Sequence, residues 1–427
     1  MRAGCMRSTW ASAGMPDAFG SLSHAVGRGP RAARQACLAL LLLWAFLAPL
    51  CATSAPRIGV ATMQPGGIFW ERFGHNALVV VDDATGEATS YNFGFFDPTE
   101  PDFVARFVRG QMRYRLVALP LAQDLATYRD SGRGVSIQWL DLPPDRASAL
   151  SDALAVNARP ENAAYAYQYF EDNCSTRVRD ALDRALDGGL RRQLEARSQG
   201  STHRSEAVRL ASPAWWMATG FDLGLGPRSD RPMSRWDEAF VPMRLAASLR
   251  EARNAAGMPL VMREEVVLPH LQAPEPVEAA RAWWPWGLAG LAIAGVLIAV
   301  GRRSVRGAVA LAAPAWLLAA LAGALMLYIW FGTAHAFGWA NRNVLLFNPL
   351  CGLLLAGAWP ALRGWPVPRW MAWTAVVVAA CAVLAFFMLA IPAQPQRNAA
   401  WVALLLPVHA ALAWVLWRHA DPVRRGR

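Results

Sequence analysis

Five apolar stretches in the second half of the sequence constrain the fold more than any other feature. They cover residues 283–300, 308–331, 344–361, 370–391 and 399–417. Each comes close to the roughly 20 residues that a helix needs to cross the hydrocarbon core of a bilayer. The whole chain is 55% hydrophobic, which is too apolar for an ordinary soluble protein. We therefore expect this half to form a helical bundle of about five transmembrane spans.

The arginines indicate which way the bundle faces. If residues 56–280 lie outside, the outer loops contain two arginines, Arg342 and Arg397, whereas the inner loops and the C-terminus contain nine. This asymmetry follows the positive-inside rule. The net charge of +11, which comes from a chain without lysine, is explained by this topology. We expect no nucleic-acid partner, and the sequence leaves the oligomeric state open.

An N-terminal leader is expected to export the residues that follow it. The apolar run 37–50 comes after a basic stretch and before small residues, as in the core of a signal peptide. The predicted organisation is a leader or signal segment at 1–55, an exported domain at 56–267, a proline-containing linker at 268–281, and a transmembrane helical domain at 282–427. The expected location is the bacterial inner membrane, multi-pass, with the exported domain facing the periplasm.

The exported domain has the pattern of an α+β fold. Two strands, 75–81 and 88–93, flank a polar turn at 82–87. Helices are predicted at 144–158, from about 174 to 186, and at 242–253, because apolar residues recur there with helical spacing.

Cys174 is the only cysteine of the exported domain, so it has no disulfide partner there. It stands in the run Asn-Cys-Ser-Thr-Arg at a predicted helix start, where unpaired N–H groups and the helix dipole stabilise a thiolate. Arg177 and Arg179 add positive charge nearby. Asp172, Asn173 or Ser175 could cap this helix. The pattern favours a reactive thiol over a buried structural one.

A cysteine nucleophile needs a base, which is normally histidine. The candidates are His75, which stands where a strand begins, His203, and His270, which lies in the predicted linker. Asn92, on the second strand of the hairpin, lies diagonally opposite His75 if the turn centres near Thr85. A register shifted by one residue would offer Tyr91 instead. The sequence contains no histidine and cysteine spacing typical of a metal site and no phosphate-binding glycine loop, so we expect no metal and no cofactor.

The run Asp-Asn-Cys-Ser-Thr-Arg-Val-Arg-Asp at 172–180 is the most specific motif of the sequence. Shorter motifs accompany it at 73–76, 91–96, 103–114, 160–162, 167–170, 236–242 and, in the membrane half, at His335, 341–343 and 347–350. Together these segments resemble the exported N-terminal domain of the Lnb-type lipoprotein N-acyltransferases.

This resemblance implies a circularly permuted papain-like domain, with histidine before cysteine in the chain, anchored by the transmembrane bundle. The implied enzyme is a thiol acyltransferase that moves an acyl chain from a lipoprotein diacylglyceryl group to an N-terminal amine. By position, Cys174 would be the nucleophile and His75 its base, and Asn92 is the third catalytic residue that the hairpin register offers. The expected partners are a lipoprotein or phospholipid acyl donor and membrane lipid. The residues expected to contact the substrate are Tyr91, Asn173, Arg177, His335 and Asn343.

Two other functions remain open at this point. A cysteine amidase or peptidase acting on cell-wall peptide would use the same reactive pair, because fold alone does not determine the reaction. A non-catalytic membrane scaffold would need neither residue, and it predicts that Cys174 lies far from His75.

Overall fold

The structure is a computed structural model that describes residues 55–277, 282–391 and 395–420. These residues belong to one compact unit, Ser54–Arg427. The predicted leader, including its apolar run at 37–50, lies outside the described residues apart from Ala55, and so does the end of the predicted linker at 278–281.

A seven-stranded sheet organises the described N-terminal part. Its strands are β1 (Arg57–Met63), β2 (His75–Val81), β3 (Ala88–Phe95), β4 (Arg113–Pro120), β5 (Val135–Leu140), β6 (Ala164–Ala166) and β7 (Val261–Leu268). Their order across the sheet is β6-β4-β3-β2-β1-β5-β7, and every neighbouring pair is antiparallel. The predicted combination of helices and sheet is confirmed.

Ten helices accompany the sheet in the described residues up to 277. They are α1 (Phe103–Arg109), α2 (Leu121–Asp130), α3 (Pro144–Asn157), α4 (Pro160–Ala163), α5 (Cys174–Ala185), α6 (Gly189–Glu195), α7 (His203–Ala211), α8 (Trp215–Gly224), α9 (Arg235–Glu238) and α10 (Pro242–Glu251). The predicted helices at 144–158, 174–186 and 242–253 correspond to α3, α5 and α10.

The two faces of the sheet are covered by different helices. Leu78 and Val80 of β2 belong to a core cluster with residues of α3, α5 and α10, whereas Ala77 and Val79 belong to a second cluster beside α2. Because strand side chains alternate between the faces, β2 is apolar at nearly every position when both faces are covered. The sheet is thus a central layer, and residues at its ends are free to form a site.

The hairpin of β2 and β3 has the turn that the sequence predicted. Asp82 accepts hydrogen bonds from the backbone N–H groups of Ala84 and Thr85, which fixes the polar turn. Leu78 pairs with Tyr91 and Val81 with Ala88. This register puts Asn92 and His75 on the same face of the sheet, as diagonal neighbours across the hairpin.

The membrane half contains helices α11 (Trp284–Arg303), α12 (Val305–Gly332), α13 (Cys351–Leu362), α14 (Arg369–Met388) and α15 (Ala399–Ala420). Among the described residues, four of these helices, α11, α12, α14 and α15, are long and apolar enough to cross a membrane.

The predicted span at 344–361 differs from the other four. It begins as a 3₁₀-helix, Arg342–Leu345, and continues as α13, which has 12 residues. A helix of that length covers only about 18 Å. A side-chain carbon added to Gly323, within α12, would meet Phe347 and Pro349, and one added to Gly364 would meet Arg306 near the start of α12. The irregular segment and α13 therefore run together along α12.

The part of the chain that contains the sheet packs against one end of the helical bundle. The carbonyl oxygen of Leu223, at the end of α8, accepts hydrogen bonds from the side chains of Asn341 at 2.7 Å and Asn343 at 3.0 Å. The indole N–H of Trp401, near the start of α15, donates to Asp222. These part-buried contacts fix the position of the domain relative to the bundle.

Candidate active site

Cys174 is the first residue of α5 and is partly exposed. Of the three residues predicted as possible caps, Asn173 is the one that caps α5. Its side chain accepts from the backbone N–H of Thr176 at 2.9 Å, and the Thr176 hydroxyl accepts from the backbone N–H of Asn173 at 2.8 Å. Such a capping box leaves the thiol at the positive end of the helix dipole, where a thiolate is favoured.

A hydrogen bond between Ser175 and Asn76 brings the thiol of Cys174 close to His75. The hydroxyl of Ser175 lies 2.8 Å from the side-chain oxygen of Asn76 and 2.6 Å from the carbonyl oxygen of Ala239. Ser175 and Asn76 are both fully buried. Because Ser175 follows Cys174 and Asn76 follows His75, this contact sets the start of α5 against the start of β2.

The imidazole of His75 is oriented by Asn92. Its Nε2 lies 3.0 Å from Oδ1 of Asn92. The Nδ2 of Asn92 donates to Asp124 on α2 at 3.0 Å, and the Ser90 hydroxyl donates to the same carboxylate oxygen at 2.6 Å. Since an amide nitrogen only donates, these contacts present the Asn92 oxygen to His75. The proton of the neutral imidazole is then on Nε2, and Nδ1 is left to accept a proton from the thiol.

The pKa values of the thiol and the imidazole move in opposite directions. Burial on its own raises the pKa of Cys174, but the charge and the hydrogen bond of His75, together with the N–H groups of Asn76 and Ser175, outweigh it and lower that pKa. Burial likewise lowers the pKa of His75, but Cys174, the charge of Asp124 and the hydrogen bond to Asn92 raise it overall. The arrangement therefore favours a thiolate beside an imidazolium.

Gly94 leaves room beside the thiol. Its φ angle is +92°, and β3 bulges between Asn92 and Phe95. A side-chain carbon at Gly94 would lie 3.6 Å from the Cβ of Cys174 and 3.8 Å from both the Tyr165 hydroxyl and the Tyr167 ring. A glycine is favoured here because the backbone adopts a positive φ and larger side chains would fill this space.

The other two candidate histidines have structural contacts. His203 packs against Phe170 and Phe337, with ring centroids 5.0 and 4.9 Å away, and burial lowers its pKa to about 4. The Nδ1 of His270 accepts from the backbone N–H of Gly134. Neither is the histidine that contacts Cys174.

Three residues expected to contact the substrate lie close to the reactive pair. Tyr91 points into the core cluster on the face opposite Asn92, and burial raises its pKa. Arg177 forms an ion pair with Asp172 and its guanidinium lies 4.1 Å from the centroid of the Tyr165 ring. The side-chain nitrogen of Asn173 donates to the backbone oxygens of Tyr169 and Phe240. The contacts of Arg177 and Asn173 hold the start of α5 in place.

The other two, His335 and Asn343, belong to the junction with the membrane half. The Nε2 of His335 lies 3.0 Å from the carbonyl oxygen of Phe107. Asn343 is fully buried, and its oxygen accepts from Asn398 at 2.9 Å while its nitrogen donates to Leu223. The structure thus gives Asn343 a docking role, which the sequence did not predict because its partners are more than fifty residues away.

Sequence reasoning missed Asp124, Ser90 and Asn76. A buried carboxylate in an otherwise amphipathic helix is the signal that marks Asp124, which is 5% exposed. That signal requires the packing of α2 to be known. In the described ranges, no cluster of three or more histidine, cysteine, aspartate and glutamate side chains could hold a metal ion.

Comparison with known proteins identifies the domain that carries this site. Residues 52–209 match the family described as the Lnb N-terminal periplasmic domain. No curated protein and no solved structure gives a significant match. The matched range contains Cys174, His75, Asn92 and Asp124, and four helices of spanning length follow it. Residues 52–209 thus belong to the family of Lnb N-terminal periplasmic domains, as their motifs had predicted.

Proposed function

We propose that this protein is a membrane-anchored cysteine acyltransferase. It would move an acyl chain from the diacylglyceryl group of a lipoprotein to an N-terminal amine through a thioester on Cys174. The observation that carries the proposal is the series Cys174, His75, Asn92 and Asp124, in which each member is aligned by the next. The order of histidine before cysteine and the use of both imidazole nitrogens favour a permuted papain-like domain.

The first half-reaction forms the thioester. The Cys174 thiolate attacks the carbonyl carbon of a lipid ester, and the C–O bond to the glyceryl oxygen breaks. The imidazolium of His75 gives its proton to the departing oxygen, so that a lyso-lipid alcohol leaves. Backbone N–H groups at the start of α5, including that of Cys174, would stabilise the oxyanion of the tetrahedral intermediate.

The second half-reaction restores the enzyme. The neutral N-terminal amine of the acceptor attacks the thioester carbonyl, and His75, now neutral, takes a proton from the attacking nitrogen. The C–S bond breaks, and the thiolate and imidazolium are regenerated as the amide leaves. Water must be kept away while the thioester exists, because it would otherwise hydrolyse it.

Anchoring to the membrane supports lipid as the substrate class. The domain is held to the bundle by part-buried hydrogen bonds from Asn341 and Asn343 to Leu223. A fixed site at the membrane surface meets an ester that is confined to the same surface, which raises its effective concentration.

Thiol trapping tests the proposal. Purified protein in detergent is incubated with a synthetic diacylated lipopeptide that has a free N-terminal amine, and Cys174 and the peptide are examined by mass spectrometry. We expect an acyl adduct on Cys174 and an N-acylated peptide for the wild type and for the matched variant Cys381→Ala. Neither product is expected for Cys174→Ala or His75→Ala.

Two results would overturn the proposal. Reaction of Cys174 with cell-wall peptides alone would identify a hydrolase. A Cys174 that reacts with neither substrate, in protein that is folded by circular dichroism, would identify a scaffold.

A further inference from the structure

Helix α1 exposes an apolar face to its surroundings. Val104, Phe107 and Val108 have side chains that are 68%, 40% and 46% exposed, and they occupy positions i, i+3 and i+4 of one helix face. Three neighbouring apolar side chains on one helix face form an exposed apolar patch, which is typical of a contact surface. We therefore expect this face to contact an apolar environment.

The end of α1 is fixed at the outer end of a membrane helix. The carbonyl oxygens of Phe107 and Arg109 accept from the imidazole of His335 at 3.0 Å and from the backbone N–H of Ala334 at 2.8 Å. Ala334 is two residues beyond the end of α12 at Gly332. The approach is so close that a side-chain carbon on Gly110 would lie 2.9 Å from the nitrogen of His335. Helix α1 therefore lies beside the end of a helix that is long and apolar enough to cross a membrane.

A continuous series of aromatic rings leads from α1 toward the thiol. The centroid of Phe107 is 6.4 Å from that of Phe103, which is 5.5 Å from Phe96. Phe96 is 5.0 Å from Tyr114, and Tyr114 is 4.3 Å from Tyr167. The Tyr167 ring and Cys174 both lie within van der Waals distance of a side-chain carbon placed at Gly94, at 3.8 and 3.6 Å.

One polar group stands at the inner end of this series. The hydroxyl of Tyr165 lies near the same space at Gly94, and it is buried without a hydrogen-bond partner in the part of the chain that the structure describes. An unpaired buried hydroxyl is unfavourable unless a ligand satisfies it. The order along the path is thus apolar rings, then a free hydroxyl, then the thiol.

We infer that α1 and the rings of Phe107, Phe103, Phe96, Tyr114 and Tyr167 form an acyl-chain path from the membrane to Cys174. The tail of a membrane lipid would enter beside the exposed face of α1 and lie along the rings. Its ester carbonyl would then reach the thiol, with the Tyr165 hydroxyl donating to the carbonyl oxygen. This inference rests on the proposed function, because it assigns the acyl chain of that reaction to a place in the domain.

Alkylation of Cys174 tests the path without any acyl donor. The rates of labelling by N-dodecylmaleimide and N-ethylmaleimide are measured on the full-length protein in detergent, by mass spectrometry of the peptide that contains Cys174. Cys381, within α14, is the internal reference for partitioning of the long reagent into the micelle. We expect the ratio of dodecyl to ethyl rates at Cys174 to exceed the ratio at Cys381 by at least about tenfold, since even a few methylenes in apolar contact give this factor.

Two substitutions in the path test whether it causes the preference of Cys174 for the long reagent. Phe107→Glu places a charge at the mouth of the path, on an exposed position that should tolerate it, and is expected to bring the ratio at Cys174 down to that at Cys381. Phe103→Leu keeps the path apolar and should retain most of the preference. The matched control is Val266→Glu, at a 76% exposed position on the far edge strand β7, which should leave the ratio unchanged.

The outcomes separate this inference from the proposed function. Equal ratios at Cys174 and Cys381 in the wild type, or an unchanged ratio in Phe107→Glu, would overturn the path even if the lipopeptide experiment gives a thioester. A chain preference that Phe107→Glu removes would support the path even if no acyl transfer is found.

Discussion

The Nε2 of His75 lies 3.0 Å from the side-chain oxygen of Asn92, which leaves Nδ1 as the nitrogen that can take a proton from Cys174. Asn92 can present that oxygen because Asp124 and Ser90 engage its nitrogen. The direction of each hydrogen bond therefore follows from one buried carboxylate. The chain from Asp124 to Asn92 to His75 sets the tautomer of the base before any substrate arrives.

Replacing Asn92 by alanine should slow acyl transfer. Without the acceptor for Nε2–H, the imidazole can rotate and adopt the other tautomer, so we expect kcat/KM to fall by about 10²-fold. Steady-state rates with the diacylated lipopeptide measure this. The matched control is Asn157→Ala, on α3, where the side chain only bonds a nearby backbone oxygen. An unaltered rate in Asn92→Ala would contradict the assigned role.

Asp124→Asn tests whether the carboxylate acts as a positioning group through Asn92. The variant removes a charge that raises the pKa of His75, so this pKa should fall. The new amide can also face Asn92 with its nitrogen, which would turn the Asn92 oxygen away from the imidazole. We expect a loss in kcat and a displaced pH profile of Cys174 alkylation, whereas a purely structural role would change only the melting temperature. The exposed position of Asp152 provides the control, Asp152→Asn, which should change neither readout.

The opposite pKa shifts of the pair predict how reactivity depends on pH. A thiol whose pKa is lowered stays deprotonated at pH values where an ordinary cysteine, with a pKa of about 8.5, is a thiol. A histidine whose pKa is raised stays protonated to higher pH. The thiolate–imidazolium pair therefore exists above the pKa of Cys174 and below that of His75, and it is lost as pH falls through the pKa of Cys174.

Alkylation by N-ethylmaleimide across a pH series measures this window. The midpoint for Cys174 should lie below that of free cysteine. In His75→Ala it should move upward, because burial then raises the pKa of the thiol without the opposing charge. A midpoint that is the same in wild type and His75→Ala would show that the imidazole does not stabilise the thiolate.

The hairpin could be predicted from the sequence because its determinants are local. The turn at 82–87 is marked by Asp82 and Gly86, and the flanking strands start and end within a few residues of their predicted bounds. With that register, the diagonal relation of His75 and Asn92 follows from strand geometry alone. Asn173 as the helix cap was one of three local choices.

Contacts between distant segments could not be read from the sequence in this way. Asp124 reaches Asn92 only because α2 covers that face of the sheet. Asn343 was expected to contact substrate, yet its side chain joins Leu223 to Asn398, a partnership that depends on how the domain docks on the bundle. The fifth predicted span shows the same limit, since an apolar composition does not show that its outer part is an irregular segment ending at Pro349.

The docking itself can be tested at Asn343. Asn343→Leu is similar in size but removes one of the two hydrogen bonds to the Leu223 oxygen, which keeps Asn341, and removes the hydrogen bond from the buried Asn398 nitrogen. A buried group left without its partner costs about 1–3 kcal/mol, so we expect the junction to open more often while the sheet and α5 stay folded. Hydrogen exchange should increase at the end of α8 and in the loop after α12, and acyl transfer from membrane-bound lipopeptide should decrease.

Alkylation of Cys174 by N-ethylmaleimide should persist, because the reactive pair lies wholly within the exported domain. Unchanged exchange at the junction, with acyl transfer equally unchanged, would show that these buried amides do not hold the domain in place.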